Sequence, residues 1–596
     1  MTLGIWRYNK HNKNGGYPMA RIRKLSIRNF RSIKTLDWTP SPGINCLIGP
    51  GDSGKSSILD AIDLCLSARR SVPFGDTDFY NLDVRAPIII SVTLGELSED
   101  LMNLDTYGDF LRGFDSVFDD VVDEPAVTIE TVLTLQLKVE SDLEPQWTLY
   151  SERAEQLGLS RGLAWKDRTS LAPARIGAYA QTNLSWARGS VLNRLTEERA
   201  ELGPALANAA REARSNFGNQ AADQLNATLE VVARTAADLG VPIGKSALAL
   251  LDAHSVSIGD GAIALHSEAG IPLRSLGTGS SRLLIAGLQR AAANAASIAL
   301  VDEVEYGLEP HRLIRFLDSL GAKASNPPLQ VFLTTHSPVA LKELLSNQLF
   351  IVRSQQGNHT VLRTNVYPEV QGILRSAPEA FLAKYVLVCE GASEVGLIRG
   401  MDQYRSEKLN LESINARGAA YYNVGGGSPD NCFLRGKTLL NLGYPVIVLV
   451  DADKPPLQKN VQAFIDAGGK YVMWQNGNAL EDELFKELHD AGIDTLLAMA
   501  KEFVGAALVS QQISSMSANQ FTLEAIEASR PQVPYSPAVR ALLGRVSKNS
   551  SNAWFKSITA YQRVGNEAVL PHCPNSSQAF QNSINELWGY INAAGA

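Results

Sequence analysis

Nine residues, GPGDSGKSS (49–57), constrain this chain more than any other stretch. They follow the apolar run INCLI and lead into SILDAIDLCL, so the local order is strand, glycine loop, helix. The spacing G-x4-G-K-S has a physical reason. Gly49, Gly51 and Gly54 let backbone N–H groups curl around phosphate oxygens, and the helix N-terminus adds partial positive charge. Asp52, Ser53 and Ser57 belong to the same cradle. Lys55 is expected to reach the β- and γ-phosphates of ATP, and Ser56 to hold Mg²⁺. The fold class that follows is α/β.

Three later stretches fit such a loop. SIALVDEVEYGLEP (297–310) is an apolar strand ending in two acids. Asp302 would join the Mg²⁺ shell and Glu303 would orient or deprotonate the attacking water. Without the loop these would be solvated acids on a strand tip. LQVFLTTHSPVAL (329–341) is a second apolar strand, and Pro338 stops it. His336 is then placed to touch the γ-phosphate, although a histidine at a strand tip is often incidental. PLRSLGTGSSRLLIAGL (272–288) is a glycine-rich turn entering an apolar helix. Ser275, Gly277 and Gly279 are its candidate nucleotide contacts; alone, the turn would read as a helix-entry loop.

Four elements in this order resemble the ABC-type ATPases of the RecF and SMC group, and IRNFRSI near the start matches that group's opening strand. The resemblance implies that the 275–280 turn caps ATP held by the Lys55 loop of a second subunit, so that ATP joins a homodimer or a higher homo-oligomer. Two departures stand out: the turn reads LGTGS rather than LSGGQ, and Gly51 replaces the usual Asn. No long coiled coil is present, which excludes the SMC proteins themselves.

Residues 1–19 are polar and read as a disordered extension before a natural start at Met19. An ATPase part over 20–189 is interrupted at 190–240 by an Ala/Leu/Glu/Arg-rich stretch with helical spacing and resumes over 241–370. The polar stretch 354–380 reads as a linker, and 380–596 as a second α/β domain with a helical end. A net charge of −7 argues against a protein coated in positive charge, not against a local basic groove. Five scattered cysteines without a CxxC fit a reducing cytoplasm, and eight histidines form no zinc pattern with them. No run of 18 apolar residues exists, so no membrane partner is expected.

The second domain opens on YVLVCEGASEV (385–395), an apolar strand with Glu390 at its tip and Glu394 four residues on. YPVIVLVDADKP (444–455) ends in Asp451 and Asp453, two apart and therefore on one face if the strand continues. Parallel neighbouring strands would bring these carboxylates together. Only a cation makes that tolerable, and hard oxygen ligands suit Mg²⁺ or Mn²⁺. The alternative is that the acids cap helices, with Ser393 as a cap.

E-G-x-x-E followed by D-x-D resembles a Toprim domain. An ABC-type ATPase followed by Toprim resembles the OLD (overcoming lysogenization defect) family of endonucleases, over nearly the whole chain from residue 20. That resemblance implies dimerisation through the 190–240 insert and a second metal bound partly by an acid in NALEDELF, for which Glu481 is preferred to Glu483. It also implies a catalytic lysine: Lys556 beside Trp554 and Phe555, with Lys548 in reserve. Six basic residues and no acid lie between Glu527 and Glu567, which with interleaved aromatics suits a phosphate backbone or a plain solvated helix. The reading is an ATP-regulated nuclease acting on nucleic acid, DNA first, in phage defence and with a separate partner protein. The rivals are a RecF-like DNA clamp without nuclease activity and an ATPase scaffold. A topoisomerase would need a positioned tyrosine, and none of the 17 stands in a recognisable setting.

Overall fold

The computed structural model describes residues 20–69, 71–176, 184, 190–192, 203–238, 264–291, 297–475, 477–530, 532–548 and 552–595. The extension expected at 1–19, and the parts of the insert and its flanks at 193–202 and 239–263, lie outside them. Contacts divide the chain into two units. One is Met1–Cys46, Ser56–Thr335 and Gln356–His359; the other is Leu47–Lys55, His336–Gln355 and Thr360–Ala596.

In the first unit, strands Arg21–Phe30 and Ile33–Trp38 form a tight hairpin, with Arg31 in the left-handed region at φ 51°. Ile88–Gly95 pairs antiparallel with Arg21–Phe30, and Glu130–Val139 pairs antiparallel with Ile88–Gly95. Ile22, Leu25, Ile27 and Phe30 are fully buried. Arg23 and Arg28 of the same strand and Arg31 of the turn form ion pairs: Arg23 with Glu96 and Glu130, Arg28 with Asp37, Arg31 with Asp60 and Asp78. Strand Ile298–Val301 pairs in parallel with Gln330–Thr334 and with Ala174–Arg175. Every residue of the first two is buried, the continuous apolar pattern of strands covered on both faces. The insert contains helix Gly203–Asp238, 36 residues and about 54 Å long at 1.5 Å per residue.

The second unit holds a four-stranded parallel sheet in the order Ala419–Asn423, Tyr385–Cys389, Val446–Val450, Lys470–Met473. The first strand in sequence lies between the second and the third, so the chain winds outward in opposite directions from it. The strand tips on either side of that reversal border a crevice where ligands of open α/β sheets bind. The expected linker at 354–380 is instead ordered: it carries strand Asn358–Arg363 and helix Val370–Ser376, whose Val370, Ile373 and Leu374 are buried. Polarity there marks one exposed side of packed elements rather than a free tether. From Leu480 to Ala594 the chain is helical. No helix of the described residues is long and apolar enough to cross a membrane.

Helix Ala392–Leu409 meets helix Ile558–Arg563 and the following π-helical turn Val564–Val569 across a glycine seam. A Cβ on Gly400 would stand 1.9 Å from the Gln562 carbonyl oxygen, and one on Gly565 2.4 Å from that of Leu397. Backbone cannot yield that much without separating the helices. Gly372 has no neighbouring atom within 4 Å of a built Cβ. Gly400→Ala is therefore expected to destabilise the second unit by about 1–3 kcal/mol or more, whereas Gly372→Ala changes stability by no more than about 1 kcal/mol and toward greater stability. Denaturant unfolding of the two variants checks this.

Candidate functional site

The glycine loop adopts the strained backbone its sequence implies. Gly49 (φ 147°), Asp52 (φ 59°) and Gly54 (φ 85°) occupy positive φ. A Cβ on Gly49 would also lie 2.6 Å from the Val352 carbonyl oxygen. Gly51 is exposed and has open space around it, so neither backbone nor packing demands glycine there. Lys55 is buried, and its Nζ donates to the carbonyls of Gly49 (3.1 Å) and Pro50 (2.7 Å) and to Ser53 Oγ (3.2 Å). An ammonium gathered by the loop it serves is held where a phosphate would sit against that loop. Ser57 is half-buried on helix Lys55–Leu66.

Ser56 Oγ donates to Asp302 Oδ1 at 3.2 Å, which joins two of the expected Mg²⁺ contacts. Thr334 Oγ1 donates to the same oxygen at 2.6 Å and accepts the Glu303 N–H at 2.8 Å. Glu303 is exposed and left-handed at φ 46°. Arg282, 1% exposed, locks that turn by donating to the carbonyls of Glu303 (3.2 Å) and Tyr306 (2.5 Å). Burial pulls the Arg282 guanidinium down, against the attraction of Glu305 and Glu303. Sequence reasoning passed over Thr334 and Arg282; the Thr-Thr pair before His336 and an arginine in the apolar helix after LGTGS were the available signals. His336 is exposed, two residues beyond strand Gln330–Thr334 and just before helix Pro338–Glu343, which Ser337 caps.

The 275–280 turn divides. Ser275 and Gly277 are exposed, and nothing lies near Gly277. Gly279 is buried, and a Cβ there would sit 2.5 Å from the Gly307 carbonyl oxygen. Its lack of a side chain serves packing within its own chain.

At the crevice of the parallel sheet, Asp451 N donates to Glu390 Oε2 at 3.2 Å. The register Cys389↔Leu449 brings these tips together, as parallel pairing requires. Glu394 is 3% exposed, and its Oε2 accepts the Gly391 N–H at 2.7 Å. The helix cap expected as an alternative is thus real, but Glu394 supplies it rather than Ser393, and Gly391 spends its N–H on that bond. Burial, then the charges of Glu481 and Glu390, raise Glu394 from 4.5 to about 7. Burial, then Glu394, Glu481, Glu390 and Asp453, raise Asp451 from 3.8 to about 9. Burial and Asp453 also raise Glu390, against the Asp451 N–H and Lys454. Asp451 Oδ1 is buried without a hydrogen-bond partner among the described residues. Asp453 is exposed, and both aspartates lie beyond the last strand residue, Val450, so strand alternation does not set their directions.

The donor set is all oxygen, mutually repelling, and includes an orphaned buried oxygen, which fits a hard divalent cation. Among the described residues no three ligating groups already stand around one point, so binding a cation requires side-chain rotation. Glu481, at the start of helix Leu480–Glu487, accepts a hydrogen bond from Tyr561. Glu483 belongs elsewhere: fully buried, it accepts from Asn478 Nδ2 (2.6 Å) and Gln475 N (3.3 Å). The same loop holds Ala452, whose N–H donates to the Asn478 carbonyl at 2.9 Å.

The basic, aromatic C-terminal stretch is mostly internal structure. Trp554 and Phe555 are buried, and Trp554 Nε1 donates to Gln512 Oε1 at 2.8 Å. They are core anchors and offer no face to a base. Of the six basic residues, Arg530 pairs with Asp494, Arg540 with Asp490, Lys548 with Asp482 and Arg563 with Glu502. Lys556 is exposed directly after the two anchors.

A family model described as "AAA domain, putative AbiEii toxin, Type IV TA system" matches residues 44–342, half of the chain. The chain belongs to this family. Its AAA domain, a nucleotide-binding ATPase domain, spans the Lys55 loop, Asp302 and His336; the acidic crevice lies beyond residue 342. The RecF DNA replication and repair protein of Desulforamulus reducens is 48% identical over 42 residues, 7% of this chain and 11% of that protein. Its counterpart in Moorella thermoacetica is 40% identical over 52 residues, 9% and 14%. The chain thus spans only 11–14% of the length of these curated relatives. The solved Smc head domain with an extended coiled coil from Pyrococcus furiosus superposes with a TM-score of 0.33 at 14% identity, over 58% of this chain and 96% of that one.

The raised carboxylates set a pH dependence. Their folded values lie above 3.8 and 4.5, so their contribution to stability is complete below about pH 4 and is lost as pH rises through about 7 and then about 9. With a chelator present, the second unit is expected to lose thermal stability between pH 5 and pH 9. Asp451→Asn should be the more stable protein at pH 8, by at least about 1 kcal/mol, the equivalent of roughly one pKa unit. Thermal unfolding of both proteins across that range checks the sign.

Proposed function

We propose that this protein is an ATP-regulated, divalent-cation-dependent nuclease, with the AAA domain as its control element and the acidic crevice as its cutting centre. The observation that carries the reading is the meeting of Glu390 and Asp451 at the reversal of a parallel sheet, with the charges of Glu394 and Glu481 acting on Asp451. The E-G-x-x-E and D-x-D spacing supports a Toprim domain and, with the AAA domain before it, an OLD-type endonuclease.

In this reading Glu390, Glu394, Asp451, Asp453 and Glu481 hold Mg²⁺ or Mn²⁺. Such ions, when bound, make water a nucleophile at neutral pH and neutralise charge on a phosphodiester. The chain's own work is to present the carboxylates: a bound cation would take the place of the protons on Asp451 and Glu394, and its charge would offset the repulsion that raises them. Lys556, fixed by the buried Trp554 and Phe555, offsets charge on the phosphate. DNA is the first-choice substrate.

In the AAA domain Lys55 binds the β- and γ-phosphates of ATP, Ser56 and Asp302 share the Mg²⁺ shell, Glu303 accepts a proton from the attacking water, and His336 meets the γ-phosphate. The exposed Ser275 and Gly277 face the nucleotide of a second copy, so ATP joins a homodimer. Phage defence, with a separate partner protein, is the setting that the OLD resemblance supplies.

A second reading is a RecF-like clamp that grips DNA without cutting. The RecF match favours it. Plasmid DNA incubated with Mg²⁺ or Mn²⁺, with and without ATP, separates the two. Cleavage by the wild type that falls at least about 100-fold in Asp451→Ala is the expected result. Equal cleavage by both removes the cutting centre, and ATP-dependent DNA retention without nicking selects the clamp. Lys55→Ala should lower ATP hydrolysis at least about 100-fold, read by phosphate release.

A further inference from the structure

The acidic crevice takes Glu481 from a helix far along the chain, and one side chain ties that helix to the first acid-bearing helix. Tyr561 is completely buried, and its hydroxyl donates to Glu481 Oε1. Burial and the Glu481 charge raise the pKa of the same hydroxyl, and the Ser393 side chain, next to Glu394, acts on it to lower that pKa. A buried phenol needs an acceptor, and a neutral backbone carbonyl would satisfy it at no electrostatic cost. Here the partner is a carboxylate whose charge already acts on Glu394 and Asp451. Glu481 Oε2 makes no hydrogen bond among the described residues.

Tyr561 is itself held without slack. A Cβ on Gly396 would sit 2.6 Å from the Tyr561 Cβ and 2.5 Å from the Ile558 carbonyl oxygen, so bare backbone on helix Ala392–Leu409 is what admits the ring. The Phe555 ring meets Tyr561 edge-on at 5.9 Å. The ring is therefore placed by packing, and the hydroxyl fixes one oxygen of Glu481 against the start of the helix that carries Glu394.

From this we infer that Tyr561 is a positioning residue for the divalent-cation site, holding Glu481 so that carboxylates from two helices and two strand tips converge on one crevice. The inference rests on the reading of that crevice as a cation site. Carboxylate ligands are oriented by the hydrogen bonds behind them, and removing such a bond costs about 10–100-fold in metal affinity.

The test is Mn²⁺ binding by the full chain, followed by electron paramagnetic resonance of the free ion, for wild type, Asp451→Ala and Tyr561→Phe, with thermal unfolding measured alongside. Tyr561→Phe keeps the ring and its packing and loses only the hydroxyl. The expected result is a Kd for Mn²⁺ about 10–100-fold weaker than wild type, with no further weakening when Tyr561→Phe is added to Glu481→Gln. A lowered unfolding temperature with unchanged Mn²⁺ affinity overturns the inference and leaves Tyr561 a core residue. Absence of Mn²⁺ binding by the wild type, or equal binding by Asp451→Ala, overturns the cation site itself and the inference with it. If Tyr561→Phe fails to fold, Ser393→Ala replaces it: weaker Mn²⁺ binding supports the inference, and wild-type binding overturns it.

Discussion

Repulsion between carboxylates that the backbone forces together is the constraint on which the second unit turns. The parallel register of Tyr385–Cys389 with Val446–Val450 is set by hydrogen bonds and by buried apolar side chains on both strands. Neither strand can shift to relieve its tip, because a one-residue slip would reverse which side chains face each side of the sheet. Glu390 and Asp451 therefore stay side by side, and burial leaves little water to screen them. Protons or a cation must supply the missing positive charge. Protonation of Glu394 and Asp451 makes the crevice responsive to pH.

The nucleotide-binding half uses the same geometry with a milder balance. Asp302 also follows a buried strand tip, but it meets hydroxyls from Ser56 and Thr334 in place of other acids. Arg282 neutralises the turn behind it through main-chain carbonyls, so Glu303 can hold a left-handed conformation and face solvent. Gly49, Asp52, Gly54 and Glu303 hold left-handed backbone in the glycine loop and after the Ile298–Val301 strand.

Much of this was legible in residues. The glycine loop, the Asp302 tip and the Glu390 and Asp451 tips each follow an uninterrupted apolar run, and such runs become buried strands. Strand pairing then brought Glu390 to Asp451 as expected. What misled was composition read without burial. Interleaved with basic residues, Trp554 and Phe555 suited a phosphate backbone or a solvated helix, yet apolar neighbours drew them into the core. A cluster of basic residues looked like a groove, yet Asp482, Asp490, Asp494 and Glu502, distant in sequence, claim four of them. Gly396, Gly400 and Gly565 carried no visible pattern, because their role depends on which helix passes over them.

By itself, the sequence determined the local chemistry: which strands form, which loops curl around phosphate, and which tips carry acids. Those properties depend on neighbours along the chain, where periodicity and side-chain type act directly. Only the tertiary structure decided that Glu394 caps its helix while standing in the acidic crevice, that Glu483 leaves that crevice for the Asn478 loop, and that Tyr561 holds Glu481. The last of these depends on close packing between segments distant in the chain, Tyr561 and Glu481 being 80 residues apart. There, a single Cβ or an unpaired oxygen decides which of several chemically similar side chains is placed to act.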